Sequence, residues 1–399
     1  MASGLATSAL VTVVGFQVYE LTRSALALGG LGLVEAIPAL GLSLFGGHLA
    51  DRHDRRSIVL LTTTVLIACA LALAAISRPE SGLDLTAILG VIFASGVAGG
   101  LLQPATPAFE AQVVPLEFAA SGASWLSSVS LTGGILGPLL GGVAVAGLGI
   151  TATYSLIAVL FAIEVGCIAL IARKARPVAT PNESLRTSLS LGIRYVRRSE
   201  AMLGAMALDL FAVLFGGAVA LLPIFATDVL NVGPAGLGVL RTAPSVGALL
   251  VMLVATRRPP MRRAGPALLI AVAGFGLSIL VFAVSKNFYL SIAALFMTGV
   301  TDGVSVIIRT VILRVLSPEH LRGRIASVNW IFIGASNQLG AFESGVVASI
   351  LGTVPSVIAG GVVTLFVVVL VAVKAPALRR LDLAHHIALG SAPELPEIG

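Results

Sequence analysis

The sequence predicts an all-α membrane protein, with twelve transmembrane helices in two pseudo-symmetric six-helix bundles. Three observations predict it. Of 399 residues, 57% are hydrophobic and 11% charged, and the mean hydropathy is +1.02. An ordinary soluble domain carries about 25% charged residues, so a soluble enzyme, a disordered chain and a DNA-binding domain are excluded. Apolar runs of the length needed to cross a bilayer, roughly 20 residues at about 1.5 Å each, recur along the whole chain. Lys and Arg gather in short clusters between these runs, so the net charge of +6 reads as membrane topology rather than a nucleic-acid surface.

The spans follow in order. Ser3–Glu20 is short and has no basic leader, the wrong flank for a cleavable signal and compatible with a natural start upstream. Leu26–Leu49 carries Glu35 and Pro38. Ser57–Ser77 and Thr86–Pro104 complete the first four, and Pro104 marks the expected end of the fourth. Ala119–Ala146 follows the Pro115-Leu116-Glu117 turn, and Ile150–Ala172 closes the first set. The second set is Met202–Thr227, Ala235–Ala255, Gly265–Ser285, Phe288–Leu313, Arg324–Ile350 and Pro355–Lys374. Runs this long and continuous are not barrel strands, and open strands cannot span lipid. Cys69 and Cys167 fall inside apolar runs and read as small buried hydrophobes, not as a disulfide or metal pair.

Orientation comes from the basic residues. One side of the membrane collects 20 of the 25, at 52–56, 173–198, 257–263, 314–324 and 374–380. Only Arg23, Arg78 and Lys286 fall on the other side, while Arg241 and Arg309 lie in or at the edge of spans. This places both termini in the cytoplasm, which agrees with an even number of spans, since that puts both ends on one side. The expected organisation is an N-terminal bundle at 1–172, a basic cytoplasmic linker at 173–201, a C-terminal bundle at 202–374 and a cytoplasmic tail at 375–399. The halves share landmarks at one offset of about 205: the 51–56 loop lands on 256–261, and Trp125 on Trp330. Parallel six-span halves are how one large class of secondary transporters is built, with one half rocking against the other.

Two motifs carry a resemblance. Residues 46–56 read GGHLADRHDRR, similar to the G-x-L-a-D-R-x-x-R-R signature between helices two and three of the major facilitator superfamily, through Gly47, Leu49, Ala50, Asp51, Arg52, Arg55 and Arg56. Residues 133–142 read GGILGPLLGG and resemble the helix-five signature of that superfamily's exporters, through Gly133, Gly137, Pro138, Gly141 and Gly142. Stretches 18–29, 113–117, 299–309 and 321–345 look closest to its bacterial enterobactin-exporter and drug-efflux branch. The resemblance implies export of a hydrophobic or amphipathic small molecule, driven by protons. One departure stands out: an R-x-x-x-G pattern in helix four of many proton-driven relatives has Ile92 in place of its Arg, ahead of Gly96.

The motifs also have a physical reading. A carboxylate at Asp51 can pair with an Arg and with the positive end of a neighbouring helix, forming a latch that holds one conformation; the plainer alternative is a positive-inside turn. The span-five glycines admit close helix approach, and Pro138 kinks the run, which serves packing, gating or both. Ionisable residues inside spans are costly unless paired. They are Glu35, Glu164, Asp209, Asp302, Arg309 and Glu343. Asp302, Ser305 and Arg309 share one helical stripe, but Asp302 and Arg309 are about 10.5 Å apart along the axis, so Arg309 needs another partner. Asp209 lies at a similar depth and is the expected one; satisfaction of each charge by local backbone is the alternative. Glu35 and Glu343 both fall in the outer halves of their spans and are candidates for the exchanged proton, Glu35 being otherwise a structural residue beside Pro38. Asn329, Asn337 and Gln338 add polar groups to span eleven, as cavity lining or as interhelical hydrogen bonds.

No cofactor, metal site or catalytic residue is expected. His385-His386 is a poor metal site, the Asn182 glycosylation pattern falls in a cytoplasmic loop, and no nucleotide-binding loop occurs. The expected partners are a small-molecule substrate, protons and the bilayer, without nucleic acid, for a monomer in the cytoplasmic (inner) membrane. A proton-coupled importer of the same fold and a non-transporting sensor are the alternatives. A membrane-embedded enzyme lacks its dense polar constellation here, and a sensor lacks an output domain.

Overall fold

The computed structural model describes residues 1–78, 84–173, 185–257 and 263–382. The Asn182 pattern, Lys174, Arg176, Arg258, Arg262 and His385-His386 lie outside the described residues, as do the side chains of His48, Asp51 and Arg186. Among the described residues every regular element is helical. The first six are α1 (Ala2–Thr22), α2 (Ala25–Arg52), α3 (Arg55–Ile76), α4 (Leu85–Val113), α5 (Ala119–Leu148) and α6 (Ile150–Leu170). Then come α7 (Leu185–Arg198), α8 (Glu200–Phe215), α9 (Gly233–Ala255), α10 (Ala264–Val284), α11 (Phe288–Leu316), α12 (Arg322–Leu351) and α13 (Thr353–Lys374).

Polar side chains at the entries explain where several helices begin. Ser24, Asp54, Asp84, Ser199 and Asn287 each accept a backbone N–H in the first turn of the helix that follows, satisfying donors left without an intrahelical partner. The turns from α5 to α6 and from α12 to α13 pivot on Gly149 (φ 81°) and Gly352 (φ 90°), a conformation that a side chain would strain.

Among the described residues, eleven helical stretches are long and apolar enough to cross a membrane. The expected eleventh span, α12, has the length with 30 residues but is diluted by Arg322, Arg324, Asn329, Asn337, Gln338 and Glu343. Two other boundaries differ from the sequence expectation. α4 continues past Pro104 and Pro107 to Val113, because lipid removes the competing water that would otherwise end a helix at a freed carbonyl. The seventh span breaks after Phe215. Gly216 and Gly217 follow, then a 3₁₀ turn at Ala218–Leu221 and a π turn at Phe225–Val229. A Cβ on Gly217 would sit 2.3 Å from Ser344 Oγ and 2.8 Å from Gly340 O, so close packing on α12 selects glycine there. Cys69 is buried, whereas Cys167 is exposed on α6, since a helix face that meets lipid is as apolar as one that meets protein.

The chain forms two compact units, one of Met1–Thr180 with Val219–Thr242, the other of Pro181–Ala218 with Ala243–Gly399. In the first, α2 runs along α4, α1 along α5 and α6, and α3 along α4 and α6. Ile58, Val59, Ala105, Phe109 and Ile168 form a core cluster. A buried polar thread runs through this unit: Tyr154 Oη donates to Gln17 Oε1 (2.7 Å) and Gln17 Nε2 to Ser77 Oγ (2.7 Å). In the second unit α10 lies against α11 and α13, and α12 against α7, α8 and α13, around Met202, Leu208, Leu268, Ile312 and Val328. α7 is amphipathic. Tyr195 and Val196 join the core while Arg194, Arg197 and Arg198 are exposed, and Tyr195 Oη donates to Leu316 O (2.9 Å).

Candidate functional site

The second unit brings three ionisable groups together. Arg309 of α11 meets Asp209 of α8 in a direct ion pair, Nη1 to Oδ1. Arg309 is 3% exposed and Asp209 7%, so the charges are withdrawn from solvent as a pair, which is how buried charges persist. Asp302 lies two turns earlier on the same stripe of α11 and is half-buried. A small cavity of about 10 Å³ is lined by Asp209, Asp302, Thr301, Ser305 and Phe275, on the order of one water. The stripe expected from the sequence thus exists, and Arg309 finds Asp209.

The first unit holds a second opposite-charge pair. Glu35 of α2 is half-buried, and the guanidinium of Arg241 acts on it electrostatically. Arg241 stands on α9 and donates from Nη1 to Val11 O (3.2 Å). The sequence reading left Arg241 aside, yet a signal for it was available: Glu35-Ala36-Ile37-Pro38 and Arg241-Thr242-Ala243-Pro244 carry opposite charges three residues before a helix proline, at the offset of the internal repeat. A third cluster was also missed. Tyr19 Oη donates to Asp228 Oδ2. Arg23 bridges Asp228 (3.1 Å) and Glu20 (2.8 Å) and lies 5.4 Å from the centre of the Tyr19 ring. It ties the end of α1 to the π turn of the seventh span.

The α5 glycines form a seam with two sides. Built on Gly133, Gly137 and Gly141, a Cβ would reach the α1 backbone at Gly4, Leu5 and Ala9, at 2.8, 2.9 and 3.1 Å. On Gly142 it would lie 2.3 Å from Pro234 O and 2.9 Å from Gly238 Cα, at the start of α9. Thr242 Oγ1 donates to Ile135 O (2.9 Å) across the same contact, and Pro138, buried within α5, presents its carbonyl to Gly238. Each unit also repeats one packing device. Gly96 and Gly100 of α4 press on α2 at Glu35 and Ala39, and Gly299 and Gly303 of α11 press on α9 at Pro244 and Ala248.

The 47–56 motif turns between α2 and α3. Arg55 Nη1 donates to Ala108 O of α4 (3.0 Å). Arg56 donates to Ile168 O (3.2 Å) and Ala169 O (2.7 Å) at the end of α6, where unpaired carbonyls and the negative end of the helix favour a cation. Arg52 is exposed and Gly47 half-buried, and Asp51 stands in the last turn of α2. Of the remaining candidates, Glu35 belongs to the first unit and Glu343 to the second. Glu343 is half-buried and accepts from Ser344 Oγ (3.4 Å). Asn337 is exposed, with Nδ2 donating back to Ile333 O (2.8 Å), and Gln338 is half-buried. Glu164 is half-buried beside Ser3. Among the described residues no group of His, Cys, Asp or Glu could hold a metal ion.

Comparison with known proteins bears on the fold and the family. The enterobactin exporter EntS of Escherichia coli O1:K1 is 28% identical over 378 residues, covering 93% of this chain and 88% of that protein. Among solved structures, the inward-open xylose transporter XylE from E. coli superposes with a TM-score of 0.70 at 12% identity, covering 97% of each chain. A peptide transporter, POT, gives 0.72 at 16% identity, covering 96% of this chain and 94% of its own. These likenesses show the fold, and a multi-pass membrane transporter rather than an enzyme accounts for it together with the charges kept inside the helices. The model of the Major Facilitator Superfamily matches residues 1–340, and the chain belongs to that family.

Proposed function

We propose that the protein exports a small amphipathic molecule, of siderophore or drug-like chemistry, across the cytoplasmic membrane by alternating access in exchange for protons. The observation that carries this reading is the intramembrane pair Asp209–Arg309 with Asp302 beside it, because charges kept inside lipid-embedded helices mark transport pathways. The α5 seam supports a moving contact. Backbone-close packing through Gly133, Gly137, Gly141 and Gly142 lets helices shift without side chains to unlock, with Pro138 as the bend. Gly47, Asp51, Arg52, Arg55 and Arg56 serve as the anchor on which that movement turns, Arg55 and Arg56 holding the ends of α4 and α6. Export rather than import is supported by the glycine run and by the relative that is an enterobactin exporter.

In this reading 1–172 and 202–374 are the two transport lobes, 173–201 and 375–399 are cytoplasmic, and the functional unit is a monomer. Glu35, Glu343, Asn337 and Gln338 line the path taken by the substrate. Everted membrane vesicles energised by respiration test the direction. They are expected to accumulate enterobactin when they contain this chain and to lose it when the proton gradient is collapsed. Gradient-driven depletion of enterobactin from the vesicle lumen would assign import instead.

A further inference from the structure

The cluster around Arg309 contains one more acid than it has bases to neutralise it. Arg309 supplies a single positive charge, and Asp209 takes it by direct contact. Asp302 is left over, at the same cavity as Asp209 and subject to its repulsion. The other residues around it bring no compensating charge: Ala212 and Val213 from α8, Val272 and Phe275 from α10. From α9 the neighbouring contacts, made through Gly303, are Ala248 and Val251. Thr301 Oγ1 is spent on the carbonyls of Met297 (2.8 Å) and Thr298 (3.0 Å). Arg309 Nη1 has no hydrogen-bond partner beyond the ion contact among the described residues. Two carboxylates sharing one guanidinium in a low-dielectric site cannot both stay ionised without a further cation. The cavity is about the size of one water, and among the described residues no group of His, Cys, Asp or Glu could hold a metal ion, so the cation assigned to it is a proton.

We propose that Asp302 is the site at which the transported proton binds, with Asp209 and Arg309 as its positioning pair. This rests on the antiport reading above and moves the proton from Glu35 and Glu343, the acids singled out by sequence, to α11. When Asp302 binds a proton, the trio is neutral and Arg309 stays on Asp209. When the proton leaves, a second carboxylate competes for Arg309 and the tie between α8 and α11 loosens. Proton occupancy is thereby read out as helix packing.

The test uses the full chain in lipid. Infrared spectra at neutral pH are expected to show the C=O stretch of a protonated carboxyl. That band should vanish in Asp302→Asn, return in Asp302→Glu, and remain in Glu35→Gln and Glu343→Gln. Asn is nearly isosteric with the protonated acid, so the fold should stand. In proteoliposomes loaded with a pH dye, Asp302→Asn should retain enterobactin–enterobactin exchange and lose the proton movement that accompanies net transport. An unchanged carboxyl band in Asp302→Asn, or coupled proton movement persisting in it, overturns the assignment. If the wild-type protein carries enterobactin without moving protons, the antiport reading fails, and the role of Asp302 as transport site fails with it.

Discussion

Asp209 and Arg309 show how an intramembrane charge becomes tolerable. Each is almost fully withdrawn from solvent, and each has the other in contact. Removing one partner leaves the other charge buried and uncompensated, at a cost of about 3–5 kcal/mol. Arg309→Ala is therefore expected to lower the thermal unfolding midpoint of the purified protein sharply, whereas Glu319→Ala, which removes the partner of exposed Arg322, should change it little. Equal shifts for the two variants would show that burial of the pair is not what holds it. The pairing of Asp209 with Arg309 was legible in the sequence, since depth along two spans is a one-dimensional quantity. The link between Glu35 and Arg241 was not predicted, because it depends on which distant segments pack together.

Among the elements, α5 carries the clearest sequence-to-function chain. Its glycines face the α1 backbone on one side and the start of α9 on the other. On the same helix Gly147 has open space around it. Overpacking a close contact typically costs about 1–3 kcal/mol. Here it would fall on the seam that the proposed function takes to move. Gly142→Ala should reduce enterobactin accumulation in everted vesicles by about tenfold or more, since 1.4 kcal/mol corresponds to a factor of ten, while Gly147→Ala should transport as the wild type does. Similar losses in both would argue against a moving seam. Apart from α7, which lies in the basic linker, and α12, which polar residues dilute, the helices were legible from apolar run length. Their interruptions were less so: α4 passes through two prolines, and the seventh span breaks at Gly216 and Gly217 where α12 presses against it, a tertiary cause that no local pattern encodes.

For the whole molecule, the membrane class was legible from charge and hydropathy, because both are sums over many residues and tolerate local error. The compact units do not divide the chain at the linker alone. Val219–Thr242, from the second half of the sequence, packs with the first unit, through Tyr19 with Asp228 and through Thr242 with Ile135. The contact of Tyr19 with Asp228 was beyond sequence reasoning because it joins segments far apart in the chain.

On the proposed function, the Asp209–Arg309 pair serves transport rather than stability. The most direct measurement is a double variant, Asp209→Asn with Arg309→Gln, which removes both charges and leaves neither unpaired. The expected outcome is a protein that unfolds at or above the wild-type temperature and exports no enterobactin from proteoliposomes. A double variant that exports at the wild-type rate would contradict it.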